Sequence, residues 1–389
     1  MAGQIVFFPA MKTPDLVDWL RLVQIPGLGP VGIKRLLQHF GHPQAVIQAS
    51  EAEYRSVPGI KSLMADRLVR FRREIPLQPV IDHLHRLEKM GARVITSGEE
   101  GYPPRLAQIY DPPAVLYVRG DPGKMVSERM VAVVGSRRAS MNALILARKL
   151  CTALVQHQVT VVSGLALGVD SAAHWGALDG GGSTVAVAAV GLDICYPSAN
   201  RRLADKIGTE GCLISEVPLG TRPEPFRFPA RNRIISGLAQ AVVVVEASEK
   251  SGALITARLA LEQGREVLAV PGMAGDWRCK GSNQLLRDGA GMVEIAADIL
   301  LEMRWPELVK PSSGNATKRM DGNGSSVMGL LMQCLADGPV QADELSRQSR
   351  LPVASLSSIL LQMELAGKVI RLPGNWFALQ NSPVRDTTS

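Results

Sequence analysis

Six short apolar runs punctuate the middle of the chain, at residues 131–134, 159–162, 184–190, 213–215, 241–245 and 267–270. None alternates with polar residues. A strand with one wet face shows a period of two, so these strands must be covered on both faces. Helical stretches lie between them, clearest at 141–156 and 253–263. Strand and helix alternating at this spacing predict an α/β fold with a doubly wound parallel sheet. Upstream, a helix at 79–90 and strands at 93–96 and 115–118 add edge structure to that sheet.

The ends have other patterns. Residues up to about 74 read as helical and contain two related turns, Ile25-Pro26-Gly27-Leu28-Gly29-Pro30 and Val57-Pro58-Gly59-Ile60. An apolar-Pro-Gly-apolar hairpin before a helix resembles the helix-hairpin-helix module, in which N–H groups at a helix start meet a DNA phosphate. An ordinary helical bundle with glycine turns fits equally well, and both readings stand. Residues 306–326 form a polar, Gly/Ser-rich linker. Helices at 328–335, 342–349 and 353–365, then a hairpin around Pro373-Gly374-Asn375, predict a winged-helix domain. The expected domains are therefore 1–75 helical, 76–305 sheet, 306–326 linker and 327–381 winged helix.

The chain has 389 residues, 46% hydrophobic and 20% charged, enough for two or three domains with real cores. A net charge of +7 and a pI of about 9.3 favour a polyanionic partner, although a solvated basic face gives the same balance. The five cysteines are scattered without a Cys-x-x-Cys pair, which reads as reduced thiols in the cytosol rather than a disulfide frame or zinc site. The six histidines lack ligand spacing, and no apolar run reaches the length of a signal core or a membrane span.

Candidate chemistry sits in the loops. The first strand ends in Gly135-Ser136-Arg137, without a Gly-x-Gly-x-x-Gly fingerprint, and no Walker motif occurs anywhere, so nucleotide cofactors are not expected. Arg137, at a strand end beside a helix start, suits a phosphate oxygen or a structural ion pair. Gly164 and Gly168 bracket the second loop, for turn geometry or for close approach of a ligand. Asp170, Asp193, Glu246 and His174 favour structural roles, and no nucleophile-base or acid pair stands out. Phe228, with Arg231 and Arg233, lies in an arginine-rich segment read as a loop; a ring there stacks on a base or pins its own loop. Ser251-Gly252 opens the helix after the fifth strand, where α/β sheets bind ligands.

The ordered motifs GSRRAS, SGLALGVDSAAH, GLDICYP, FPARNRIISGL, EASEKSGALITA and VPG resemble the DNA processing protein A (DprA/Smf) family, over residues 102–298. The resemblance implies a Rossmann-like core with a helix-hairpin-helix/SAM-like N-terminus and a winged-helix C-terminus. It implies a cytoplasmic, cofactor-free single-stranded DNA-binding protein of natural transformation that homodimerises, protects incoming strands and helps load the RecA recombinase. The family's DNA pocket maps onto Gly135, Ser136, Arg137, Gly164, Phe228, Arg231, Asn232, Lys250 and Ser251; Gly168, Arg233 and Gly252 adjoin them. Leu167 departs from the family, which often has a basic or aromatic residue there. The third winged helix, with Ser355, Ser357, Ser358 and Gln362 but no Lys or Arg, is unlike a duplex reader. One alternative is a nucleotide hydrolase of the lysine decarboxylase-like type, whose Pro-Gly-Gly-x-Gly-Thr loop is replaced here by Glu249-Lys250-Ser251-Gly252-Ala253-Leu254. The other is a duplex-binding regulator acting through the winged helix.

Overall fold

The computed structural model describes residues 13–74, 76–305 and 331–379, the last apart from 333, 336, 337, 350–352, 366, 367, 373 and 374. These residues fall into two compact units, divided between residues 311 and 312. The expected linker at 306–326 and half of the expected helix at 328–335, namely 328–330 and 333, lie outside the described residues.

The first unit is built on a sheet of β1 (Ala92–Thr96), β2 (Val115–Gly120), β3 (Met130–Val134), β4 (Thr160–Ser163), β5 (Thr184–Ala188), β6 (Cys212–Ser215), β7 (Ala241–Val244), β8 (Glu266–Ala269) and β9 (Gly291–Met292). Their spatial order is β1-β2-β6-β5-β4-β3-β7-β8-β9. Strand β2 pairs antiparallel with β1 and with β6, and every other pairing is parallel. The chain steps outward from β3 to β6, then returns to the other side of β3 with β7 and steps outward again. The order therefore reverses between β3 and β7, which pair in register from Val131↔Ala241 to Val134↔Val244.

The unalternating apolar runs have a direct cause. Val131 and Val133 of β3 enter one core, while Ala132 and Val134 enter the core on the opposite face. The first core is covered by α8 (Met141–Gln156), α9 (Val169–Asp179) and α14 (Ala296–Glu302). The second is covered by α11 (Arg227–Leu238) and α12 (Gly252–Glu262). Each fully buried Val or Leu contributes about 1.5–3 kcal/mol relative to exposure.

The N-terminal helices α1 (Thr13–Val23), α2 (Pro30–Phe40), α3 (Pro43–Gln48), α4 (Glu51–Ser56), α5 (Ser62–Glu74) and α6 (Leu77–Lys89) share one core with the sheet edge. Leu20, Leu36, Tyr54 and Leu68 belong to the same cluster as Val115, Tyr117 and Leu213. Both glycine turns take the left-handed backbone their motif requires, with φ of +78° at Gly27 and +82° at Gly59.

Besides α14, β9 and the short α7 (Pro104–Ala107), three further helical segments were not anticipated from the sequence. The segment opening at Arg227, read as a loop, is the first turn of α11. Residues 201–210 and 280–287 form α10 (Arg201–Glu210) and α13 (Lys280–Arg287).

In the second unit, α15 (Ala342–Ser349) and α16 (Val353–Leu365) accompany β10 (Val340–Gln341), β11 (Val369–Leu372) and β12 (Trp376–Leu379). The antiparallel order is β10-β12-β11, with Leu331, Leu345, Leu360 and Phe377 in its core. This is a winged-helix fold.

Candidate nucleic-acid interface

Where strand order reverses, the crossovers leave β3 and β7 on opposite sides of the sheet and open a crevice beyond the strand ends. Three loops shape it. Ser136 N–H donates to Glu246 O at 2.7 Å, tying the β3 loop to the β7 loop. Gly168, at φ +82°, presses the β4 loop onto the first, since a Cβ there would lie 2.2 Å from Ser136 O. Gly135 is equally confined: its Cβ would lie 2.6 Å from Val169 Cγ2. Glu246 is buried and accepts from Ser140 N–H at 3.1 Å and Ser140 Oγ–H at 2.6 Å. Ser140 Oγ in turn accepts Ala143 N–H, capping α8, and Ser251 Oγ accepts Ala253 N–H, capping α12.

The crevice is an open cleft of about 670 Å3. Phe228, Arg231, Asn232 and Ile235 of α11 all line it. Their spacing of i, i+3, i+4 and i+7 is one face of a helix. The Arg137 guanidinium sits 5.2 Å from the centre of the Phe228 ring, and the Tyr196 ring lies 5.4 Å from Phe228 at 43°. Arg137 is exposed and has no carboxylate partner among the described residues. A cation over a ring face in this setting contributes about 0.5–1 kcal/mol and leaves the guanidinium's N–H groups open to a phosphate.

Beneath this stack, Arg231 is only 6% exposed. Its Nη1 donates to Gly164 O at 2.6 Å and to Val187 O, and its Nε donates to Asn232 Oδ1 at 3.2 Å. Gly164 permits this approach, because a Cβ would lie 2.7 Å from both terminal nitrogens. Burial pushes the Arg231 pKa down to about 10, with Arg137 adding to the fall and the nearby Asp170 opposing it. Asp170 accepts Gly164 N–H at 3.1 Å and Ala166 N–H at 3.4 Å. Burial raises its pKa, against the field of Arg231. The cleft floor is thus a buried cation held by carbonyls, under an exposed cation on an aromatic ring.

Of the residues expected at the site, Gly135, Ser136, Arg137, Phe228, Arg231, Asn232, Ser251 and Gly252 line the cleft together. Gly164 and Gly168 stand behind its wall, and Lys250 is exposed in the turn before α12 without lining it. Arg233 lies elsewhere: its Nε contacts Asp111 at 2.9 Å and its Nη2 contacts Glu216 at 2.5 Å. Two residues along a helix turn by roughly 200°, so Arg231 and Arg233 face opposite ways. Asp193 accepts Gly220 N–H and pairs with Arg86. The cleft also contains Arg138, Tyr196, Ser248, Thr256 and Trp277, which sequence reasoning passed over. Tyr196 stood in the GLDICYP motif, and Trp277 in the polar stretch GDWRCKG.

His174 is fully buried away from the cleft lining, with Nδ1 2.7 Å from Thr184 Oγ1. The Thr184 hydroxyl donates its proton to Val161 O at 2.9 Å. Thr184 therefore accepts from Nδ1–H, and the unprotonated Nε2 has no partner. Among the described residues no group of His, Cys, Asp and Glu is arranged to hold a metal ion, and no helix is long and apolar enough to cross a membrane.

Comparison with known proteins places this geometry in context. Residues 93–304 match the family model for DNA recombination-mediator protein A, and residues 324–375 match that for the DprA winged helix domain. Protein Smf of Synechocystis is 32% identical over 396 residues, covering 94% of this chain and 98% of that protein. The crystal structure of DNA processing protein A from Streptococcus pneumoniae aligns with a TM-score of 0.66 at 33% identity, covering 73% of this chain and 97% of that one. A structure of DNA processing protein A from Helicobacter pylori, described as revealing its single-stranded DNA binding mode, aligns with a TM-score of 0.50 at 28% identity, covering 55% and 95%.

Proposed function

The chain belongs to the DNA recombination-mediator protein A family, and from that premise we propose that it binds single-stranded DNA in the cleft between β3 and β7. The observation that carries the proposal is the α11 face, on which Phe228 sits under the Arg137 guanidinium with Arg231 and Asn232 below. Single strands are held by rings that stack on bases and cations that meet phosphates, and every base has a face to stack. The single-stranded DNA binding mode described for the Helicobacter pylori relative supports the same assignment.

The role is binding and processing of DNA during transformation, with protection of the strand and its delivery to RecA recombinase by a homodimer. The protein acts without a nucleotide cofactor and without hydrolysis. Glu246, a carboxylate at a strand end, accepts two hydrogen bonds from Ser140 and braces two loops. Fluorescence anisotropy with single-stranded and duplex oligonucleotides of equal length, without nucleotide, tests the proposal. Preference for the single strand is expected. Equal or tighter duplex binding, or release of base or ribose phosphate from nucleoside monophosphates, would overturn it.

A further inference from the structure

Trp277 is 65% exposed and belongs to none of the hydrophobic cores, yet it lines the same cleft as Phe228 and Arg137. A singly exposed apolar side chain is ordinary on a protein surface, but an indole that shares a cleft with a second ring and an exposed guanidinium is suited to stacking on a base. The loop that carries it is held from both sides. Gly272 N–H donates to Asn283 Oδ1 at 2.9 Å, and Asn283 Nδ2–H donates back to Gly272 O at 3.0 Å. Asp276 and Arg278, the residues on either side of Trp277, form an ion pair at 2.7 Å, and Arg278 N–H also donates to Asp276 Oδ1 at 2.9 Å. The first turn of α13 is bonded to the β7 end, with Gly281 and Ser282 N–H groups both donating to Ala247 O. The ring is therefore presented by a braced loop tied to the strand whose end forms the cleft.

We propose that Trp277 is a second base-stacking platform, which takes a nucleobase adjacent on the strand to the one on Phe228. This rests on the single-strand reading of the cleft. The chemistry around it is complementary: Arg137 and Arg138 line the same cleft to meet the backbone, while the Arg278 charge is neutralised by Asp276 and leaves the indole face free for a base. Two platforms in one cleft fix the spacing of successive bases as well as their affinity. The strand is then held splayed across β3 and β7 instead of being pinned at one nucleotide.

The test uses full-length Trp277→Ala, Trp277→Phe and Phe228→Ala with an oligothymidine labelled at one end. Trp277→Ala is expected to weaken binding roughly 5- to 150-fold, the range of a lost stacking contact. Trp277→Phe is expected to retain affinity within a few-fold. The salt dependence of Trp277→Ala should match that of the wild type, since no phosphate contact is removed. Binding should quench tryptophan emission in the wild type and leave the emission of Trp277→Phe unchanged. Wild-type affinity in Trp277→Ala, an unaltered quench in Trp277→Phe, or a fall in melting temperature accounting for the lost affinity would each overturn the second platform. If Phe228→Ala alone weakens binding, only this inference fails. If the wild type itself does not hold the oligonucleotide, the single-strand assignment of the cleft fails with it.

Discussion

Arg137 and Arg233 are both arginines in sequence motifs, but their surroundings give them opposite roles. Arg137 lies on a ring with its N–H groups exposed. Arg137→Ala is expected to weaken single-strand binding and to lower the slope of log K against log salt by about 0.7, the value for one phosphate contact. Its melting temperature should hold, because an exposed substitution changes stability by within roughly 0.5 kcal/mol. An unchanged slope would remove Arg137 from the phosphate track. Arg233 is buried between Asp111 and Glu216. Arg233→Ala leaves two carboxylates without their cation and should destabilise by about 3–5 kcal/mol, seen in thermal or denaturant unfolding. The folded fraction should bind the strand normally. His174 sets a pH limit. Burial pushes its pKa from 6.5 down to about 3, so it stays neutral in the native state while the unfolded chain takes up a proton below 6.5. Stability is therefore fully present above pH 6.5 and falls below it, by about 1.4 kcal/mol per pH unit toward pH 3. Asp170 and Glu216, whose pKa values burial raises, act with the opposite sign. The difference between the wild type and His174→Asn isolates the histidine; parallel stability curves would show that His174 takes up its proton equally in the folded and unfolded states.

At the scale of elements, the sheet was legible in the sequence and α11 was not, for physical reasons. Strands covered on both faces need unbroken apolar runs, and β3 and β7 announce themselves as the runs at 131–134 and 241–245. The first half of α11 has no apolar stripe, because its buried positions include Arg231 and Arg233, whose charges are matched by carbonyls and carboxylates distant in sequence. Pro229 falls in the first turn of the helix, where a missing N–H costs little. The motif residues were found, but the helix that sorts them into cleft-facing and core-facing was not. Trp277 escaped for the converse reason. Its loop is positioned by Asn283 and by the Asp276–Arg278 pair, contacts that leave no periodicity to read. The N-terminal helices were recognised, but their packing against Val115 and Tyr117 of β2 depends on a strand that periodicity alone does not locate beside them.

At the scale of the molecule, the cleft is built entirely from the first compact unit. A chain ending at residue 311 should therefore bind single strands within tenfold of the full chain, a difference of under about 1.4 kcal/mol by anisotropy. A larger loss would make the winged helix part of the principal site. The third helix of that domain, Val353–Leu365, has no Lys or Arg, so a small contribution to phosphate binding is expected from it. On the proposed reading, the net charge of +7 supplies attraction for a polyanion and the cleft supplies the preference for unpaired bases. Ultraviolet cross-linking of oligothymidine to the full-length protein, followed by peptide mapping, tests this account most directly. The account predicts adducts on the peptides carrying Tyr196, Phe228 and Trp277, the aromatic lining of one cleft. Adducts confined to residues 13–74 or 331–379, with none on those three peptides, would contradict it.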